Sequence, residues 1–442
     1  MLPSDTDNQA PAVREKFVRK RAGFLAIAGS LALAAFARAG DDDLIARARD
    51  ALDEGKSRDA LALVEKALAQ KPDDAALLAL RGEARLDLGR SQDARADLER
   101  AAKNPEQKKK VAGIRARIEF LYGNDAAAHK LLEDAPADDA DLLTLPLLMT
   151  GPFAEGLGEI ASITSGRSTN GHYVVYSDVG LTEDVLAKAK GDRATGSALT
   201  KAAGVTEGGK ILDVLYKAYD AVFPFEKDAR LISRVYIFAS REDFLTFSQA
   251  LGEDMDDAVG FYSPGTRILA IDAQDDPEGK ETFSEDTRDT IFHEGFHQFV
   301  RFHAPGLPTW LDEGLAEYFG PSKILASGKL ETGVVKKTAG EGKTTRLQDI
   351  REALKDGTAL PLAKFVQLDD DTFSDEKQVL TNYAQAWSLI HFLVSTEHRA
   401  LVIDYFRLIR AGKTPEQAHA ETFGKTDMAA LEKQWRKYVE GL

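Results

Sequence analysis

Two short runs decide how this chain is read: Asp289-Thr290-Ile291-Phe292-His293-Glu294-Gly295-Phe296-His297, and Trp310-Leu311-Asp312-Glu313-Gly314-Leu315-Ala316-Glu317-Tyr318-Phe319. At about 100° per residue, His293 and His297 differ by about 40° around a helix, so both imidazoles leave one face and can share a metal ion. Glu294 points to a neighbouring side of that face, where it can reach a water on the ion without being a ligand. Fifteen residues lie between His297 and Glu313, and Pro305, Gly306 and Pro308 are among them. That cluster ends the first helix and lets a second start near Thr309, which turns the Glu313 carboxylate back toward the histidines. Three protein ligands leave a fourth position for water, the open arrangement of catalytic zinc. Glu317, one turn beyond Glu313, is expected to accept the outer N–H of His293 or His297 and so fix its tautomer.

A rival third ligand is His303, six residues after His297. That spacing resembles the metzincin pattern, which implies a Gly three residues after the second histidine to break the helix, and position 300 is Val. A helix running through Val300 and Arg301 places His303 about 240° from His297. His303 is therefore read as solvent-facing or capping.

The pair His293-Glu294-x-x-His297 and Trp310-Leu-Asp-Glu-Gly-Leu-Ala-Glu-Tyr318 resembles the gluzincin metallopeptidases, specifically the peptidase-MA-like domains of exported bacterial proteins. The likeness is close over the motifs and loose over residues 170–400. It implies an α+β domain with a small mixed sheet plus helices, zinc held by His293, His297 and Glu313, and Glu294 as general base in peptide-bond hydrolysis. It implies further that the strand before the zinc helix, Arg267–Ile271, is an exposed edge that pairs with substrate backbone. A tyrosine on a later helix, here Tyr383, would donate to the developing oxyanion, with His391 a weaker choice for the same task. Aminopeptidase relatives hold a free amine with a Gly-x-Met-Glu-Asn strand. Val259-Gly260-Phe261-Tyr262 offers no such carboxylate, which favours an endopeptidase. The alternative of a different class is an envelope scaffold or binding protein whose zinc-peptidase-like domain is inactive.

Upstream of the motifs the chain repeats itself. Gly55, Gly89 and Gly123 are spaced by 34 residues, as are Ala60, Ala94 and Ala128, while Val64, Leu98 and Leu132 keep the same register. A 34-residue period with Gly at a turn and Ala where helices cross resembles the tetratricopeptide repeat, an array that commonly offers a groove to a peptide or protein. The domain reading is therefore repeats over 41–138, a linker over 139–170 and the metallopeptidase-like domain over 171–442. Within the last, strands are expected at His172–Tyr176 and Arg234–Ala239, helices at Ile211–Phe223 and Arg241–Leu251, and a hairpin over Val259–Ile271. Thr414-Pro415-Glu416 is a helix start signal.

The remaining features mostly exclude. With 442 residues, 43% hydrophobic and 29% charged, the chain has the composition of a soluble protein of more than one domain. A net charge of −15 argues against a nucleic-acid partner. The absence of cysteine excludes disulfides, thiolate ligands and a cysteine nucleophile. Arg14, Lys16, Arg19, Lys20 and Arg21 precede the uncharged apolar run Ala22–Phe36 and then Ala37-Arg38-Ala39. Residues 1–39 thus read as a cleaved signal peptide of an exported, periplasmic or extracellular protein, tethered to a membrane only if the segment is retained. Gly204-x-x-x-x-Gly209-Lys210 is followed by Ile211, not by the hydroxyl a phosphate loop needs, and the acidic clusters lack the alternation of a calcium loop.

Overall fold

The computed structural model describes residues 41–136, 145, 164–180, 203–223, 231–253, 255, 258–263, 266–273, 281–338 and 344–442. The signal peptide expected over 1–39 and most of the expected linker lie outside them. The chain is a mixed α+β protein in which a helical array precedes a small mixed sheet and a group of helices. Among the described residues, no helix is long and apolar enough to cross a membrane.

Three helical hairpins make the array: α1 (Asp41–Asp53) with α2 (Ser57–Leu68), α3 (Ala75–Asp87) with α4 (Ser91–Ala101), and, after the short α5 (Pro105–Lys110), α6 (Ala112–Leu121) with α7 (Asp125–Leu132). The sequence period is reproduced turn by turn. Gly55, Gly89 and Gly123 have φ of 72°, 73° and 74°, the left-handed conformation that glycine adopts without strain. In each turn the next residue donates its N–H five residues back, Lys56 to Ala51, Arg90 to Arg85 and Asn124 to Glu119. Ala60, Ala94 and Ala128 are fully buried where the paired helices cross, and Val64, Leu98 and Leu132 fill the space between them.

The sheet is built from β1 (Thr164–Arg167), β2 (Tyr173–Ser177), β3 (Ser233–Phe238), β4 (Gly260–Ser263) and β5 (Ile268–Asp272), with α8 (Ala203–Val222) between β2 and β3 and α9 (Arg241–Ala250) between β3 and β4. Its order is β1-β2-β3-β5-β4, with β2, β3 and β5 parallel and both outer strands antiparallel to their neighbours. Val235, Ile237, Leu269 and Ile271 are fully buried, as expected of parallel strands covered on both faces.

Three expectations need correction here. The strand Arg267–Ile271 is not an edge: β5 lies between β3 and β4, and β4 is the outer strand on that side. Thr164–Arg167 forms β1 inside the expected linker, although Thr-Ser-Gly-Arg has no apolar alternation to announce it. Helix α8 starts at Ala203, eight residues before Ile211; its glycines disguise the helix and serve close packing, since a Cβ at Gly208 would lie 2.9 Å from Ile237 and 3.2 Å from Val175. The rejected phosphate-loop look-alike is thus interior to a helix.

The second half continues with α10 (Glu285–His303), α11 (Thr309–Phe319), a small hairpin of β6 (Lys323–Ile324) and β7 (Leu330–Glu331), then α12 (Arg346–Asp356), α13 (Leu362–Phe365), α14 (Asp370–Phe373), α15 (Val379–Ser395), α16 (Arg399–Arg410), α17 (Pro415–Glu421) and α18 (Met428–Gly441). Thr414 and Gln417 form the capping box that the start signal of α17 predicts. One core joins α8, α10, α11, α15 and the inner strands.

The array is docked directly on this half. Ile232 N–H donates to Leu121 O at 2.8 Å, Arg234 Nη1 to Phe120 O at 2.6 Å, and Arg267 Nη2 to Leu86 O at 2.6 Å. Phe302, near the end of α10, is buried in the array's own core. The hairpins are therefore packed against the end of the histidine-bearing helix, with buried guanidinium groups satisfying the carbonyl ends of α3 and α6.

Candidate metal centre

Helix α10 carries both histidines and is well determined by its sequence. Ser284 caps it, accepting from Thr287 N–H at 3.1 Å, and Glu285 and Asp286 in the first turn favour the positive end of the helix dipole. Ile291, Phe292, Phe296 and Phe299 bury its inner side, and Tyr219 O–H ties the helix to α8 by donating to Phe292 O at 3.0 Å. After the turn at Gly306, whose φ is 88°, α11 starts at Thr309, and every one of its residues is buried.

The two helices bring three donor atoms together. His293 Nε2 and His297 Nε2 are 3.3 Å apart, and Glu313 Oε2 is 3.6 Å from the first and 3.5 Å from the second. Tetrahedral bonds of about 2.1 Å separate their donors by about 3.4 Å, so the residues present fit one zinc ion with two nitrogens and one oxygen. Among the described residues this is the one group of three or more such side chains close enough to hold a metal. The side chains of His297 and Glu313 are 3% and 7% exposed while that of His293 is 22% exposed, so solvent reaches the triad from the His293 side. Glu294 is buried beside it.

Electrostatics follow from this crowding. Burial acts to lower the His297 pKa, but the charges of Asp312 and Glu313 outweigh it and hold the imidazole well above its usual value. Burial acts to raise Glu313, and the two histidines overcome it and hold the carboxyl well below the usual range. A cation is favoured among these groups, whether proton or metal.

Asp312 is the residue that sequence reasoning missed. Its Oδ1 lies 2.9 Å from His297 Nδ1, both side chains are nearly inaccessible, and Arg301 Nη2 stands 3.7 Å from its other oxygen. At His297 Nδ1 it is Asp312, and not Glu317, that takes this place. Glu317 lies one turn further along α11, where Arg346 at the start of α12 grips it at both oxygens, Nε to Oε2 at 3.0 Å and Nη2 to Oε1 at 2.7 Å. The signal for Asp312 was its position next to Glu313, on the flank of α11 that meets α10. Nothing local marks Arg346, which is 29 residues from its partner.

Tyr383 reaches the same centre. Gly314 lets α11 and α15 approach, since a Cβ there would lie 2.7 Å from Ile390 Cγ1 and 2.9 Å from Ala386 O. The phenol is pushed well above its usual pKa, first by burial and then by the charges of Glu313 and Glu317. His391 stays out of the centre, with Nδ1 2.8 Å from Tyr438 Oη and Nε2 2.9 Å from Gly333 O. His303 is also apart from the triad. Of the two readings, solvent-facing or capping, the first does not hold: it sits in the last turn of α10, half-buried against Phe299, and burial, with Arg410 and His172 nearby, pushes its pKa down to about 3.

A sequence family described as a protein of unknown function (DUF1570) matches residues 288–415. The matched segment contains the triad, Glu294, Asp312, Arg346 and Tyr383, and none of the array or the five-stranded sheet. No curated protein matches the chain.

Proposed function

We propose that the chain is an exported zinc-dependent endopeptidase of the gluzincin kind, with zinc held by His293, His297 and Glu313. The observation that carries this is the convergence of the three donor atoms at separations of 3.3, 3.5 and 3.6 Å from residues spaced as the sequence required. When bound, the ion supplies Lewis-acid activation of a water and of the peptide carbonyl. Glu294, on the same helix as both histidines, accepts the proton of the attacking water and returns it to the departing amine. Tyr383 donates its hydroxyl to the oxygen that gains charge. Asp312 fixes the His297 ring through Nδ1, which leaves Nε2, on the Glu313 side, as the nitrogen that would hold the metal.

The strand offered to an extended substrate is β4, not β5. It is the outer antiparallel strand and packs on α10, where a Cβ at Gly260 would lie 2.6 Å from Thr290. A partner or substrate recruited by the tetratricopeptide-like array has a cavity of about 580 Å³ to enter, between α4, the α6–α7 turn and β1, lined among others by Arg95, Tyr122, Asn124 and Arg167.

The test separates metal from chemistry. Purified Glu294→Gln should keep about one zinc per chain, measured by elemental analysis, and lose at least about 100-fold of casein hydrolysis. Hydrolysis equal to wild type would remove Glu294 as the base.

A further inference from the structure

Arg346 opens α12, directly after the Thr345 cap that pairs reciprocally with Gln348. A cation at the first position of a helix is opposed by the helix dipole, so local preference does not place it there. What it contacts does. Its two hydrogen bonds grip Glu317, the side chains of the pair are 12% and 10% exposed, and its guanidinium carbon stands 5.2 Å from the centroid of the Tyr383 ring. Tyr383 also packs against Phe373, ring to ring at 5.4 Å.

We propose that Arg346 is a positioning residue with two linked tasks: it holds the Glu317 carboxylate away from the ion's open position, and it seats the Tyr383 ring beside the triad. The proposal deepens, and rests on, the zinc reading given above. Glu313 and Glu317 are one turn apart on one face of α11, so their carboxylates are natural neighbours. A buried carboxylate stripped of its cation is strongly unfavourable, and a divalent ion one turn away is a replacement within reach of a glutamate side chain. Were Glu317 to swing over, the site would have four protein ligands, the closed set of a structural zinc, and no place for water. Tyr383 would at the same time lose the cation that its ring faces.

The signature is opposite to that of ordinary damage to a supporting residue, which weakens metal binding by about 10–100-fold. Full-length Arg346→Met should bind zinc about tenfold more tightly than wild type in competition with a fluorescent chelator, a gain of about 1.4 kcal/mol. Its kcat on casein should fall about 100-fold with KM changed by less than about threefold, since the loss lies in the reacting groups. Adding Glu317→Gln should return zinc affinity to the wild-type value while kcat stays low, because the Tyr383 ring still lacks its cation. Zinc binding that is weaker or unchanged in Arg346→Met, or a tighter binding that survives Glu317→Gln, would overturn the proposal. Should Arg346→Met not fold, Arg346→Lys keeps the charge without the fork and should shift affinity in the same direction by less; a shift in the other direction overturns it equally. Wild-type protein that binds zinc and cleaves nothing defeats the peptidase reading alone, and the affinity comparison still decides Arg346. Wild-type protein that binds no zinc defeats both.

Discussion

Replacing Asp312 with Asn is the most informative single perturbation of the centre. The carboxylate sits 2.9 Å from His297 Nδ1 and is 2% exposed, so its charge acts on the imidazole without much screening by water. Asn keeps the size and an accepting oxygen but not the charge. Partners of this kind change metal affinity by about 10–100-fold, which is about 1.4–2.7 kcal/mol. The pH dependence sharpens the test. Asp312 helps to hold His297 well above its usual pKa, so in wild type a proton competes with the metal for that ring. In Asp312→Asn the proton is held less tightly, so the affinity deficit should grow as pH rises through the range in which wild-type His297 gives up its proton.

The metal-free protein gives a second readout with a definite sign. The raised pKa of His297 contributes stability that is fully present below its unfolded value of 6.5 and is lost as pH rises through the folded value. The lowered pKa of Asp312 contributes stability that is present above its unfolded value of 3.8 and is lost as pH falls through the folded value. The pair therefore stabilises the metal-free fold between the two folded values, and Asp312→Asn should lower Tm at about pH 6 and much less once His297 has lost its proton. Zinc titrations and melts of both proteins across this range read both effects. Affinity unchanged at every pH would refute the role given to Asp312.

Two further predictions concern the surroundings. Burial pushes Asp289, one turn before His293, up to about 6 despite its ion pair with Lys336. A folded pKa above the unfolded 3.8 means stability that is present at low pH and lost as pH rises through about 6, so Asp289→Asn, which resembles the protonated acid, should raise stability by about 1–2 kcal/mol at about pH 8 and leave it nearly unchanged at about pH 4. A lower Tm at the higher pH would show that the Lys336 pair outweighs the burial cost. Gly314→Ala puts a methyl 2.7 Å from Ile390 Cγ1 and 2.9 Å from a backbone oxygen, and should cost about 1–3 kcal/mol in denaturant unfolding. No change in midpoint would mean that α11 and α15 do not need their close approach.

The parts legible in the sequence are those fixed by local periodicity. His293, His297 and the break at Pro305–Pro308 determine a helix, a turn and a returning helix, and the placing of Glu313 follows from the geometry of those three pieces. The 34-residue spacing of Gly55, Gly89 and Gly123 was equally readable, because each left-handed turn recurs with its own buried alanine. What was not legible depends on partners distant in the chain. The position of β5 between β3 and β4 is set by pairing across the sheet, and the apolar pattern of Arg267–Ile271 is the same for an inner strand as for an edge. A helical wheel places Glu317 below Glu313, yet the residue that claims it comes from the start of another helix. Glycines at 204 and 208 lower helix propensity, yet they let α8 lie against the sheet.

The central claim is that His293, His297 and Glu313 hold one ion between them, and metal content is its most direct measure. Elemental analysis of purified, zinc-equilibrated protein should find about one zinc per chain in wild type and in His303→Ala, and far less in Glu313→Ala, with all three folded by circular dichroism. Zinc retained by Glu313→Ala and lost by His303→Ala would contradict it.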